Sequence, residues 1–418
     1  MNPVIVAGAG AAGLMAAGQA RERGRKVILL EKNPRPGCKI LASGGGRCNL
    51  TNTCDRLEFI SAFGRNGRFL HPAFARFFSG DLRELLQRLD VPTQADDEGR
   101  VFPSSGKAAD VVAALEKWIE RLGVEIRAGA ALLDVLVGSA QSSQGKMSRW
   151  ITTARTQSGD IPAAAIVVCT GGITYPQLGA TGDAHAIACR LGHTIIPCHP
   201  CLAGLHSPDP VCINMQGVSL AARVEAHDVM SHPPRRMARR QGGIIFTHFG
   251  VSGPAILDIS RDIAPAPYDG RRVEIVIDLL PGESGMPTRL LNDCQSAPRK
   301  LIINHIRELL PDKMAAPLLE RCAIRPDKPL GQITRRERNL VATTLKALRL
   351  TITGSEGAER AMITKGGVSL REIDPGTMQS RLVRGLFFAG EALDIDGPTG
   401  GYNLQAAFST GWLAGNNV

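Results

Sequence analysis

Aromatic residues are scarce, 4% of 418, with three Trp and three Tyr. That leaves little from which to build a stacking platform for single-stranded nucleic acid, where successive bases lie on exposed rings. Ten cysteines are far too few for a disulfide scaffold in a chain of this length. No basic segment precedes the apolar N-terminus, since the first charge is Arg21, and glycines at 8, 10, 13 and 18 interrupt the stretch. It therefore reads as a buried strand and helix, neither a secretion signal nor a membrane span, and a reducing cytoplasm is the expected location. A mean hydropathy of -0.02 and 44% hydrophobic residues exclude both a polytopic membrane protein and a disordered chain. Internal repeats and low-complexity tracts are absent as well.

At 418 residues the chain exceeds one ordinary core, so two or three packed units are expected. Forty-nine basic against 39 acidic residues leave a net charge of +10, which suits an acidic ligand without identifying it. Arginines cluster at Arg235–Arg240 and Arg335–Arg338. Runs this short read as solvated loop or helix faces, so a small-molecule substrate is expected in preference to a nucleic acid.

The apolar run Val4–Ala7 meets a glycine turn, Leu14–Arg23 has a helical pattern ending at Gly24, and Val27–Leu30 is a second buried strand. This is a βαβ unit of the usual size, about 30 residues. Helices are expected over Asp81–Asp90 and Asp110–Leu122, strands over Val124–Arg127 and Ala163–Cys169. From Ile195 the texture changes to short alternating segments such as Val273–Asp278, then to a helical pattern between Met286 and Leu348. Near residue 362 the glycine-rich style returns. The expected organisation is a nucleotide-binding domain over 1–194 and 362–418, a β-rich insert over 195–285 and 349–361, and a helical subdomain over 286–348.

The strongest local signal is Gly8-x-Gly10-x-x-Gly13, with Glu31 eighteen residues beyond Gly13. Gly8 permits the tight turn, Gly10 lets a pyrophosphate approach the backbone, Gly13 lets helix and strand pack, and Glu31 can accept from ribose hydroxyls. NAD and FAD share this fingerprint, so the C-terminal end decides. There a strand ends in Gly390-Glu391, a carboxylate for a ribityl chain, and Gly397–Asn403 (GPTGGYN) precedes an apolar helix whose amides can face a flavin ring. Ser43–Asn49 (SGGGRCN) offers close backbone approach and Arg47 as a fork for an anion. Thr170-Gly171-Gly172 ends a buried strand and Gly179–Asp183 opens the next helix, both suited to the same cofactor.

Cys48 and Cys54 have five residues between them, which argues against the dithiol relay of a disulfide reductase. Cys198-x-x-Cys201, with His193, His206 and Cys212 nearby, has zinc-ligand residue types, but no second pair completes the set and no metal is expected. His248, Tyr175, Tyr402 and Lys365 could each reach a flavin or substrate or serve only in packing, so no catalytic residue is assigned. One GxGxxG means no separate nicotinamide domain: NAD(P)H, if used, docks transiently.

Four runs, Lys39–Asn52, Thr174–Asp183, Phe246–Pro254 and Asp396–Gln405, resemble the aminoacetone-oxidase-like family of FAD-binding flavoproteins, and the similarity extends from Gly8 to Gly411. The resemblance implies an α/β fold, a glutathione-reductase-type FAD-binding Rossmann domain interrupted by a β-barrel-like insertion with a helical subdomain. Taken with the motifs, the expected cofactor contacts are Gly8, Ala9, Gly10, Ala12, Gly13, Glu31, Lys32, Lys39, Gly45, Gly46, Arg47, Asn49, Leu132, Thr170, Gly171, Gly172, Asp183, Gly390, Glu391, Gly400, Gly401, Tyr402 and Asn403. The expected function is an FAD-dependent oxidoreductase moving a hydride to or from a small molecule, with the insert shaping the substrate pocket. FAD-dependent tRNA modification and a non-catalytic redox sensor are the alternatives.

Overall fold

The computed structural model describes residues 2–141, 147–266 and 268–418. It divides into two units, Met1–Pro200 with Ala358–Val418, and Cys201–Gly357. The expected joints lay at 194/195 and 361/362.

The core of the first unit is a five-stranded parallel sheet. Its strands are β1 (Val4–Ala7), β2 (Val27–Glu31), β3 (Glu125–Ala128), β4 (Ala165–Val168) and β5 (Leu386–Phe388), in the order β5-β4-β1-β2-β3. Every residue of β1, β2, β4 and β5 is buried. Continuous apolar runs are what a parallel sheet covered on both faces demands. Helix α1 (Ala11–Glu22) begins three residues before the sequence pattern suggested, because Ala11, Ala12 and Gly13 already belong to it. Helices Ser79–Arg88 and Ala108–Arg121 form close to the expected spans.

The last helix of the unit, α3 (Tyr402–Asn417), lies against α1; between them in the chain comes α2 (Asp183–Arg190). A Cβ on Gly411 would stand 2.1 Å from the Ala12 carbonyl oxygen, and one on Gly415 would stand 2.4 Å from that of Ala16. Both glycines are therefore required for the approach. The pairing of 411 with 12 and 415 with 16 also makes the two helices run in the same direction.

The second unit has its own core. Seven strands form an antiparallel sheet in the order Leu348–Ile352, Val273–Asp278, Ser219–Asp228, Arg235–Phe246, Gly250–Ser252, Leu205–His206, Gly354–Ser355. The two end strands are separated in the chain by Thr353 alone, so one stretch, Leu348 to Ser355, pairs with Val273–Asp278 at its start and with Leu205–His206 at its end. Arg235–Arg240, expected as loop or helix face, is instead the start of a strand paired to Ser219–Asp228. Arg240, opposite the buried Val224, reaches Asp262 of the next helix and interrupts the period-2 pattern that Ala238, Ile244 and Phe246 keep on the buried side. Helix Pro254–Ile263 covers that side through Ile256 and Ile259. Four more helices follow, Met286–Ser296, Ile302–Leu309, Asp312–Arg321 and Arg335–Lys346. The last is opened by a capping box in which the Thr334 hydroxyl accepts from the Glu337 N–H and Glu337 accepts from the Thr334 N–H. Lys328, with the Thr334 N–H and hydroxyl, holds the Glu337 carboxyl down at about 2.

Gly411→Ala should lower stability by about 1–3 kcal/mol in denaturant unfolding, because the obstacle is backbone. Gly80→Ala in helix Ser79–Arg88, where a Cβ meets nothing within 4 Å, should leave stability unchanged or raise it by up to about 1 kcal/mol. Equal effects at the two sites would refute the packing argument.

Candidate functional site

The turn after β1 behaves as its three glycines require. Gly8 has φ +94° and a Cβ there would lie 2.5 Å from the Cys169 carbonyl oxygen, while a Cβ on Gly13 would lie 1.8 Å from the Gly8 carbonyl oxygen. Gly10 differs: a Cβ there meets nothing within 4 Å. It stands at the N-cap of α1, which has no side-chain cap and no acidic residue in its first turn. Open space before an uncapped helix N-terminus offers amide donors and a positive dipole end to an anion. Close by, the Thr170 hydroxyl is buried without a hydrogen-bond partner. Glu31 braces the turn, accepting from the Ala9 N–H at 2.7 Å and from the backbone and side-chain N–H of Asn33, both at 2.8 Å. A carboxylate has about four acceptor positions, so this leaves capacity for a ribose hydroxyl.

A second uncapped N-terminus belongs to α3, preceded by Gly400 (φ +111°) and Gly401 (φ +96°). Given the pairing of 411 with 12, the start of α3 lies eight residues farther out than the start of α1, about 12 Å at 1.5 Å per residue. The loop before α3 is clamped. Asn403 donates to the Gly397 and Pro398 carbonyls and accepts from the Gly397 N–H, and Asn52 donates to the Gly400 carbonyl. Asn49 spans from the Gly401 N–H, which it accepts at 3.1 Å, to the Thr51 carbonyl. Tyr402 packs its ring 4.4 Å from that of Phe59, with its hydroxyl 3.6 Å from Cys54 Sγ.

Beside Gly390, which meets Ala12 of α1 and Thr410 of α3, a polar cluster gathers from distant parts of the chain. Glu391 accepts from Lys39 Nζ at 2.7 Å, from the Thr174 hydroxyl at 3.0 Å and from the Thr364 N–H at 2.8 Å. Gly172 is needed here, since its Cβ would stand 2.1 Å from the Thr364 hydroxyl oxygen and 2.8 Å from Glu391 Oε1. Gly171 is left-handed, and Gly390, also left-handed, takes the Thr410 hydroxyl on its N–H and leaves room for the Ala12 methyl.

Other expected contacts turn out to be engaged with one another or set apart. Lys32 and Asp183 form an ion pair at 2.7 Å, with Thr181 beside both. Arg47 is exposed, its guanidinium 4.8 Å from the centre of the Phe102 ring, next to the open backbone of Gly45 and Gly46. Leu132 is buried at the start of a strand. His248 belongs to the second unit, with its ring against Phe249.

All ten cysteines are free. Burial pushes the Cys48 thiol up to about 12, and burial with the nearby Asp394 and Glu391 charges pushes Cys198 up to about 11, so neither is a thiolate at neutral pH. Among the described residues no group of three or more His, Cys, Asp and Glu is arranged to hold a metal ion, and no helix is long and apolar enough to cross a membrane.

Thr364, Asp394 and Asp396 were not singled out from sequence. The two aspartates are buried in the wholly buried stretch 392–397, where Asn66 donates to Asp394 and Lys365 pairs with Asp396 at 3.3 Å. Burial raises the Asp394 carboxyl, with the Asp396 charge adding to it. Two acids in an otherwise apolar run were the available signal.

Ser380, His193 and Glu372 stand in the order of a hydrolase triad, with Ser380 Oγ 2.9 Å from His193 Nε2 and Glu372 3.2 Å from Nδ1. The Ser380 hydroxyl, however, is buried and accepts the Leu382 and Val383 N–H groups. It is a structural tie. His193, and His185 beside Cys198 Sγ at 3.5 Å, are both pushed below the ordinary imidazole value by burial. The unfolded chain therefore binds protons at these positions below about pH 6.5 that the folded chain refuses, and stability must fall as pH drops through that value. Melting temperature should decline between pH 7.5 and 5.5, and less steeply for His193→Gln. A flat profile would refute the assignment.

Comparison with known proteins places this geometry. The description "HI0933-like protein Rossmann domain" matches residues 2–417. The 3-dehydro-bile acid delta(4,6)-reductase of Clostridium scindens is 31% identical over 419 residues, covering 99% of this chain and 98% of its own. A ribosomal RNA dihydrouridine synthase of Escherichia coli is 31% identical over 414 residues, covering 99% and 97%. Among solved structures, 3-ketosteroid delta1-dehydrogenase from Sterolibacterium denitrificans aligns with a TM-score of 0.52 at 12% identity, covering 99% of this chain and 98% of that one. At that identity the likeness concerns the fold alone. With nearly its whole length matched, the chain belongs to the HI0933-like family of Rossmann-domain proteins.

Proposed function

We propose that the chain is a flavin-dependent reductase that holds FAD non-covalently and saturates a carbon–carbon double bond conjugated to a carbonyl. The observation that carries this reading is the pair of uncapped, parallel helix N-termini about 12 Å apart, with the void at Gly10 before the first. One helix end suits a pyrophosphate and the other an electron-rich ring edge, and a ribityl chain bridges a gap of this kind. The α1 amides would hold the pyrophosphate, the Thr170 hydroxyl and the remaining capacity of Glu31 a ribose, and the Gly400–Gly401 backbone the ring edge. Lys39 neutralises Glu391 and orients it from one side.

The names of the two full-length relatives both describe saturation of a ring double bond conjugated to a carbonyl, in a 3-dehydro-bile acid and in uridine. When bound in its reduced form, the flavin would be the source of the hydride needed at the carbon β to the carbonyl, with a proton required at the α carbon and an external donor required to reduce the flavin again. That donor, a reduced nicotinamide, docks only transiently because the chain has one GxGxxG. Ten free thiols suit a reducing, cytoplasmic setting.

A second reading concerns the substrate: net charge +10 favours a uracil in RNA over a free small molecule.

The purified protein should be yellow and release intact FAD on denaturation. Gly10→Val should fold normally and lose the cofactor, since the valine fills only open space, whereas Gly13→Val should fail to fold. A folded Gly10→Val protein that keeps stoichiometric FAD would sink the proposal. Under anaerobic conditions NADH or NADPH should bleach the flavin band with an affinity near the millimolar range, about 4 kcal/mol. Colour should return on adding a conjugated enone or a uridine-containing RNA; return with neither would refute the reductase reading.

A further inference from the structure

We propose that the outward face of the antiparallel sheet in Cys201–Gly357 is a docking surface for the phosphate backbone of RNA, formed by Arg223, Arg236, Arg239, Arg272 and Arg349. This rests on the RNA reading of the substrate and adds the surface that would hold it.

The strand registers define the face. On Ser219–Asp228 the buried positions are Ala222, Val224 and Ala226, so Arg223, Glu225 and His227 point outward. Across neighbouring strands this gives two rows, Arg349, Val276, Glu225, Arg239 and then Thr351, Glu274, His227, Arg236. Arg236, Arg239 and Arg349 have side chains 55%, 49% and 61% exposed, far more than core-supporting residues need.

Charge on the face does not balance. Glu225 alone serves both Arg236 at 3.4 Å and Arg239 at 3.5 Å. Asp278 likewise serves Arg223 at 3.6 Å and Lys346 at 2.9 Å. Only Glu274 has a single cation, Arg349. At one end of the sheet Arg272, exposed and next to the buried Val273, has no carboxylate partner among the described residues. Asp228, opposite Val273 and Arg235 in the register, lies on the buried side and accepts the Met230 N–H.

The chemistry of the face selects the occupant. Val276 is the one apolar side chain in these rows, whereas a membrane surface asks for an apolar wedge and a protein partner for an apolar interface core. Phosphates ask for neither. All five cations are arginines, whose planar fork matches phosphate oxygens in pairs.

The test is binding of a short oligouridylate to the FAD-loaded full chain, followed by fluorescence anisotropy over a salt series. The variant Arg236→Gln/Arg239→Gln/Arg349→Gln should bind at least about tenfold more weakly at low salt, with the log–log salt slope shallower by about 2. Glu225→Gln, which removes the shared carboxylate, should bind more tightly. FAD content in each variant should match the parent, which separates loss of the face from loss of the fold. If the parent binds RNA and the triple variant binds equally well, the face is refuted while the RNA reading stands. If the parent binds no RNA, both fall. Binding to phosphatidylglycerol vesicles as tight as to RNA would overturn the assignment in favour of a membrane surface.

Discussion

The contact between Gly411 and Gly415 on one helix and the Ala12 and Ala16 carbonyls on the other is the constraint on which the candidate site depends. Two helices can lie this close only where one presents no Cβ, and the closeness fixes direction and offset together. From it follow the parallel orientation, the two dipole ends facing the same way, and their separation along one line. Trp118 supports α1 elsewhere, packing where a side chain on Gly18 would otherwise sit. Without that framework the glycines at Gly8 and Gly400 would still turn the chain, but toward no common place.

Much of the first unit was legible because buried parallel strands announce themselves as short apolar runs, and Val4–Ala7, Val27–Glu31 and Leu386–Phe388 are of that kind. The glycine turn was legible too, since each glycine has a distinct steric reason, and the structure distinguishes them: two are crowded and one faces open space. The partners of Glu391 were not legible. Lys39, Thr174 and Thr364 stand 352, 217 and 27 residues away in the chain, and no local pattern encodes such a meeting. The Lys32–Asp183 pair has the same origin, 151 residues apart, so two residues each read as facing a ligand face each other.

The second unit was harder to read for a different reason. Periodicity reveals a strand only when the outward positions look polar and the inward ones apolar in strict alternation, and Arg235–Arg240 breaks this with a register shift opposite Ala226/His227. The extra residue is Met237, and the change of phase turns Arg236 outward beside His227, where unbroken alternation from Ala238 would turn it inward. Glycine-rich Gly242-Gly243 then continues the strand with no side chains to read, against helix Pro254–Ile263.

The parallel sheet also sets an order of assembly. Strand β5 and helix α3 come from the last 33 residues, yet β5 must pair with β4 and α3 must pack on α1 near the other end of the chain. Cys201–Gly357, by contrast, is one continuous segment with its own core. On a ribosome it can complete its fold while the nucleotide-binding half is still waiting for its closing helix. The Gly8 turn, among the first residues made, is thus among the last to acquire its finished surroundings, and during that interval its apolar strands are the part of the nascent chain most in need of protection.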